Sequence, residues 1–504
     1  MKKFLMVLAV ILMAGMVLGC SRERQPERSR DRLVIAWQQD FNILSPFDSS
    51  ATPDITVAYA LYDSLFDMDL QGNLFPTGAE RWEISPDGLE YTFYIRRGMT
   101  FHDGSPVTAR DVVYSGNRLR DSPFRQRVGV LMDRAELIDD YTMKFILHQR
   151  AAQFMFELAF YFAIYPENAG ERWGDNFGRH PIASGPYQLV SREAGRGVIL
   201  QAYDGYWGPA PPIKEVEFRV IPDATTALIA LENGEVDLCQ YIAAASYPLV
   251  RRNPNLGMVS TPFPRVLNLA MNMQMHPFQD NVHLRQAIAH AINKDFLVEI
   301  GLEGHGRPAV TFLQDINFGY PPGIVNYARN FDLARARELM VEAGYPNGAG
   351  LPAIRMSTID MFRMQSEAIQ AQLREIGVNI EIEMVELSAW MSMMASGTLW
   401  MGLMSWNTGL DGAGPSGLLS TGSASNQAVY SNPEVDRLFT ISAAELDARR
   451  RSDIFLELYR AVLDDMPYVS IYFVDTVSCG RNDLDMNTWM NYVATSAKNL
   501  RFLN

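Results

Sequence analysis

The chain has 504 residues, 48% hydrophobic and 20% charged, an ordinary composition for a globular protein. Its formal charge of −14 repels phosphate backbones and argues against nucleic-acid binding. At roughly 100–200 residues per domain, the length points to two or three domains.

Lys2 and Lys3 precede an apolar run over 4–18. That run is shorter than the roughly 20 residues of a membrane span and has the length of a signal-peptide core. It ends in Val17-Leu18-Gly19-Cys20, which resembles the bacterial lipobox, where small residues precede a cysteine that is acylated and becomes the new N-terminus. The expectation is a signal peptide over 1–19, lipidation at Cys20, and a polar, aperiodic tether over 20–32 that cannot bury enough apolar surface to order itself. Loss of Lys2 and Lys3 with the leader would take the charge from −14 to −16. The body is expected outside the cytoplasm, in the periplasm or at the cell surface, held to the membrane through its lipid.

From 33 onward, strand and helix signals alternate. Tyr91, Phe93 and Ile95 would share one face of a strand over 91–96, after the turn Pro86-Asp87-Gly88. Thr108 and Asp111 form a capping box that opens a helix, and a second strand covers 141–147. A strand over 216–221 leads to a helix capped by Asp223 and stopped at Gly234, and Val236-Asp237-Leu238 begins another strand. Residues 265–273 read as a strand, and 282–300 as one helix with Leu284, Ile288, Ala291 and Ile292 on one side. Asp332 caps a helix that Gly344 ends; a strand over 354–359, a helix ending at Gly377 and a strictly alternating strand over 378–384 follow. The apolar run over 399–406 reads as a central strand. A helix over 449–465 ends at Pro467, and a strand covers 468–474. The pattern is that of an α/β chain in several lobes.

Motifs for chemistry are sparse. There is no G-x-S-x-G nucleophile elbow. Gly412-Ala-Gly-Pro-Ser-Gly417 matches G-x-G-x-x-G, but Pro415 and the residues after it do not open a dinucleotide-binding helix. The seven histidines contain no H-E-x-x-H, and His283 and His290 read as surface or packing residues rather than a metal pair. Cys239 and Cys479 could pair in an oxidising compartment or sit as two buried thiols, the reading favoured here. No cofactor, metal or catalytic residue is expected. The competing class is a secreted glycan hydrolase with paired carboxylates in a cleft, which turnover would reveal.

Several segments resemble, in order and spacing, the dipeptide- and oligopeptide-binding protein family, the family 5 extracellular solute-binding proteins of ABC importers. They include Leu33-Val-Ile-Ala-Trp37 with Phe41-Asn-Ile-Leu-Ser-Pro46, and Ala79-Glu-Arg-Trp-Glu-Ile-Ser-Pro-Asp-Gly-Leu-Glu-Tyr-Thr-Phe93 continuing to Phe101-His-Asp-Gly104. Further on come Pro181-Ile-Ala-Ser-Gly-Pro-Tyr187, Tyr203-Asp-Gly-Tyr-Trp-Gly208 and Leu267-Asn-Leu-Ala-Met-Asn272. The resemblance implies a two-lobed clamshell of the type II periplasmic-binding-protein fold with an extra subdomain inserted in the first lobe. It places the first lobe at 33–65, 180–262 and 475–504, the inserted subdomain at 66–179 and the second lobe at 263–474. The hinge crossings fall at Thr261-Pro-Phe-Pro264 and Asp475-Thr476. The implied function is a monomeric lipoprotein, not an enzyme, that captures a peptide or similar small solute by closure and delivers it to permease subunits.

The same resemblance singles out ligand residues. Asp411, the only acid after the strand ending in Trp406, would take a ligand amine; Trp406 would floor the pocket, with Asn407 beside it. Asn42, Ser184, Tyr187 and Asn272 sit in segments that face the cleft in relatives, and Arg355 or Arg363 could meet a ligand carboxylate. The loop after Trp406 departs from the peptide pattern: Asp411 comes two residues late, and Gly414-Pro415 replaces an Asp-Pro. Its glycine-rich, otherwise uncharged character leans toward a neutral or bulky ligand such as an oligosaccharide; opines and chelated nickel are further alternatives.

Overall fold

The computed structural model describes residues 30–68, 73–167, 169–489 and 497–503; the expected leader and Cys20 lie outside the described residues. β1 (Arg32–Trp37) opens the body. The chain then leaves for an antiparallel sheet of β2 (Ala79–Ile84), β3 (Glu90–Ile95), β4 (Met132–Asp139) and β5 (Thr142–Leu147), ordered β2-β3-β5-β4. It returns through β6 (Tyr187–Glu193), β7 (Gly197–Ala202), β8 (Glu215–Val220) and the two-residue β9 (Leu238–Cys239). β10 (Leu256–Met271) carries it across to β11 (Ile354–Thr358), β12 (Ile380–Met384) and β13 (Met401–Asn407), and β14 (Tyr468–Arg481) carries it back. One large sheet joins these strands in the order β12-β11-β13-β10-β14-β9-β1-β8-β7-β6. The result is a two-lobed α/β fold.

Burial follows the strand period. Tyr91, Phe93 and Ile95 of β3 point inward and their neighbours outward, as alternation requires. β1 is buried on both faces: Leu33, Ile35 and Trp37 enter one core, Val34 and Ala36 another. The first core runs from Leu33 to Leu238 and gathers Leu484, Trp489 and Leu500 from the end of the chain. It contains Phe93 and Phe145, so the 66–179 segment shares its interior with the first lobe. The second core is confined to Val266–Phe473. A small third core holds Val34, Ala36, Leu228, Ile242 and Val477 with Cys239 and Cys479.

Two strands are longer than the sequence pattern suggests. β10 begins at Leu256 rather than 265, and β14 continues to Arg481 rather than ending at 474. The two pair from Leu256–Arg481 to Pro262–Asp475, and the register then resumes at Val266–Phe473. Residues 263–265 bulge, and Pro262 and Pro264 lack the N–H that a regular ladder would use. The prolines disguise one continuous strand as two.

The single helix expected over 282–300 is two, Val282–Ala291 and Lys294–Leu302. Asn293 breaks it by capping the second, its side-chain oxygen accepting the Phe296 N–H at 3.0 Å. The capping box at Thr108 and Asp111 and the caps at Asp223 and Asp332 form as expected.

At the far side of the second lobe, Gly377 has φ 83°, and a Cβ there would lie 2.2 Å from the Asn347 carbonyl oxygen. Gly377→Ala therefore combines left-handed strain with a backbone clash. It should lower stability by about 2–3 kcal/mol, read as a shifted urea midpoint with an unchanged slope.

Candidate functional site

Strand direction locates the site. β9 is antiparallel to β14, which runs from the second lobe to the first. The carboxyl ends of β9 and of its parallel companions β1 and β8 therefore point at the second lobe. β13 is antiparallel to β10, with Met401 opposite Met271 and Asn407 opposite Arg265. Its carboxyl end, and those of β11 and β12 parallel to it, point at the first lobe. Open α/β sheets bind ligands in the crevice outside the carboxyl ends of their strands. Here two such edges face each other, joined by β10 and β14. The lobes also touch where the Phe156 ring lies 3.8 Å from that of Phe318 and the Ala152 N–H donates to the Ala443 carbonyl at 2.9 Å. Elsewhere Tyr247 meets His305 edge-on at 4.6 Å.

The residues singled out from sequence divide into two groups. Asp411 is buried against Arg451. Nη2 donates to Oδ1 at 2.8 Å, and Nη1 lies 2.8 Å from Oδ2 without hydrogen-bond alignment. Oδ1 also accepts the Ala413 N–H at 2.7 Å, and the guanidinium lies over the Phe318 and Phe455 rings. The carboxylate is thus neutralised inside the second lobe and fixes the loop after β13. Asn272 is likewise committed: its amide donates to the Gly397 and Leu399 carbonyls at 2.9 and 2.8 Å and accepts the Gln274 N–H at 3.0 Å. The Tyr187 hydroxyl donates to the Ile213 carbonyl at 2.8 Å, and Ser184 is fully buried beside Asp63. Arg355 and Arg363 face Glu383 and Asp360.

The other group stands at the crevice edges. Asn407 and Asn42 are exposed at the ends of β13 and of the β1 loop. Trp406 is half-buried, and its indole N–H is buried without a partner. Opposite Asn407, and so on the same face of the sheet, is Arg265, which the sequence reading did not pick out. Its side chain is exposed and stacks over Phe263 at 5.3 Å, yet the surrounding protein desolvates the guanidinium and lowers its pKa. At and beyond the ends of β11 and β12, Met361, Met364, Met384, Leu387 and Met391 are 39–75% exposed. A guanidinium at a bulge beside a proline carries no motif, so only strand pairing reveals it.

A separate cavity of about 760 Å³ lies among residues 46–212 and 498–499, walled by Tyr59, Phe66, Phe75, Phe160 and Trp207, with no lining residue from 263–474. Asp63 is buried on its wall and accepts from Trp207 Nε1 at 2.8 Å and from the Tyr206 hydroxyl at 3.2 Å. Burial pushes its carboxyl up to about 6, against the opposing pull of Lys498 and of these two donors.

Two predictions follow from this geometry. Asp411→Ala leaves Arg451 buried and unpaired and should cost about 3–5 kcal/mol in urea unfolding without ligand, while Asp411→Ala with Arg451→Met should recover most of the loss. For Asp63 the folded pKa lies above that of an exposed aspartate, so folding favours the protonated form. Stability should fall by on the order of 3 kcal/mol as pH rises from about 4 to about 6, and Asp63→Asn should flatten that slope.

Comparison with known proteins accords with this architecture. Residues 73–428 match the family described as bacterial extracellular solute-binding proteins, family 5 Middle. The glutathione-binding protein GsiB of Pectobacterium atrosepticum is 28% identical over 472 residues, covering 90% of each chain, and that of Salmonella choleraesuis is 27% identical over 500 residues, covering 94% of each. Among solved structures, HbpA2 from Haemophilus parasuis superposes with a TM-score of 0.84 at 23% identity, covering 94% of this chain and 100% of its own. The periplasmic binding protein DppA from Helicobacter pylori, in complex with the peptide STSA, superposes at 0.72 with 24% identity, covering 94% and 98%. With well over half its length matched to one family and both lobes present, the chain belongs to the family 5 bacterial extracellular solute-binding proteins.

Proposed function

We propose that this protein captures a small, carboxylate-bearing peptide in the crevice between its lobes and delivers it unchanged to the permease of an ABC importer. The observation that carries the reading is the opposition of two sets of strand carboxyl ends across two continuous crossing strands. Ligand contacts to both edges would favour a closed arrangement over an open one, with the bulge at 263–265 as the pivot. The lobes would divide at the boundaries expected from sequence, with the protein acting as a monomer. The lipid on Cys20 would hold it beside the permease.

The polar groups at the edges suit such a ligand. Arg265 would meet a carboxylate, with Asn407 next to it on the paired strand. Trp406 would offer its indole N–H, and Asn42 would contact the ligand from the first lobe. The exposed methionines give adaptable apolar walls for varied side chains. Asp411 would act indirectly, by holding the loop in shape through Arg451. The names of the curated relatives and the peptide bound to the Helicobacter structure support a peptide over an oligosaccharide.

Calorimetry and thermal shift with glutathione, tri- and tetrapeptides, their C-terminal amides and oligosaccharides of similar size test this reading. At least one free-acid peptide should bind, be recovered intact, and lose tenfold or more in affinity on amidation or in Arg265→Gln. Binding by an oligosaccharide with no response to any peptide would overturn the peptide assignment, and cleavage of a bound ligand would overturn the transport role.

A further inference from the structure

Cys239 and Cys479 stand directly opposite each other on the antiparallel strands β9 and β14. Residues paired in this way project from the same face, with Cα atoms about 4.5 or 5.5 Å apart depending on the hydrogen bonding of the pair. A disulfide spans Cα separations of roughly 4.4–6.8 Å, so either case lies within reach. Both side chains are wholly buried in the third core beside Val34, Ala36 and Val477, and both are free thiols. The Cys239 thiol donates to the Ala227 carbonyl at 3.2 Å. Burial and then the nearness of Cys479 push its pKa up, and burial pushes Cys479 up to about 12. Thiols held in this state do not attack a disulfide, because the thiolate is the nucleophile. Oxidation therefore belongs to the time before the third core closes.

We infer that Cys239 and Cys479 form a cross-strand disulfide, made by exchange with an external disulfide as the chain folds outside the cytoplasm. One cysteine thiolate attacks the donor disulfide, forms a mixed disulfide and releases one donor thiolate. The second cysteine thiolate attacks the cysteine sulfur of that mixed disulfide, joins the two cysteines and releases the second donor thiolate. Two electrons and two protons pass from the protein to the donor, which leaves as two thiols. The bond closes a loop that contains the entire second core and both lobe crossings. It ties the returning strand to β9 on one side, while β10 holds that strand on the other through the pairing of Met258 with Cys479. The first-lobe end of the crossing is then fixed covalently, and lobe movement is confined to the bulge. The inference rests on strand register and compartment and is independent of ligand identity.

The test uses the full chain, unfolded under reducing conditions and refolded with cystamine as the disulfide donor, then alkylated in denaturant, proteolysed and mapped by mass spectrometry. The expected result is a linked pair of peptides carrying Cys239 and Cys479 in most molecules, lighter than the reduced pair by two hydrogen atoms and separated by reductant. Reduction should also lower the thermal midpoint of the linked protein, while a Cys239→Ser, Cys479→Ser protein should not respond. Two alkylated thiols, or two cysteines each capped separately by the donor, would overturn the inference. The mapping of the unmutated chain decides the matter even if the double variant fails to fold.

Discussion

The paired strands β10 and β14 are the constraint on which the rest of the molecule hangs. Each starts in one lobe and ends in the other, and each completes the backbone hydrogen bonding of both. Their antiparallel course sets the polarity of every strand added on either side, and so turns the carboxyl edges of the two lobes toward each other. The crevice is thus a consequence of strand direction rather than of any particular side chain. The same pairing would set where the proposed closure pivots. A ladder resists bending where its bonds are complete and yields where they are missing, and the bonds are missing where Pro262 and Pro264 stand.

Charge is distributed around this frame so that one acid is paired in the interior while one base stands at the rim. Asp411 and Arg451 satisfy each other in the interior and shape the loop at the crevice rim. A carboxylate already matched by a buried guanidinium has little to offer a ligand amine, because exchanging partners would leave the arginine buried and unpaired. Arg265 is the complementary case: a guanidinium at the rim, desolvated but exposed, with no acid paired to it among the described residues. The lobe that binds its own acid inward and shows a base outward is suited to an acidic ligand group.

The large first core and the small third core lie on opposite faces of β1. The first lobe and the 66–179 segment share one interior. The third core, on the opposite face of β1, brings together the ends of β9 and the returning half of β14. It anchors the crossing strand just beyond the bulge, where the proposed closure would need a fixed end.

Much of this was legible in the sequence. Periodicity and caps placed β3, β12 and the helices opened by Asp223 and Asp332, because those signals depend on neighbours a few residues apart. The order of motifs along the chain carried the fold and the family for the same reason. What the sequence alone could not decide were relations between residues far apart in the chain. That Asp411 meets Arg451, that Arg265 lies beside Asn407, and that Cys239 faces Cys479 all depend on the register of paired strands and packed helices. Register is set by the fit of whole faces against each other, and a shift of one residue would reverse every side chain on a strand. Local pattern names the strands; only their pairing in three dimensions determines which side chains meet.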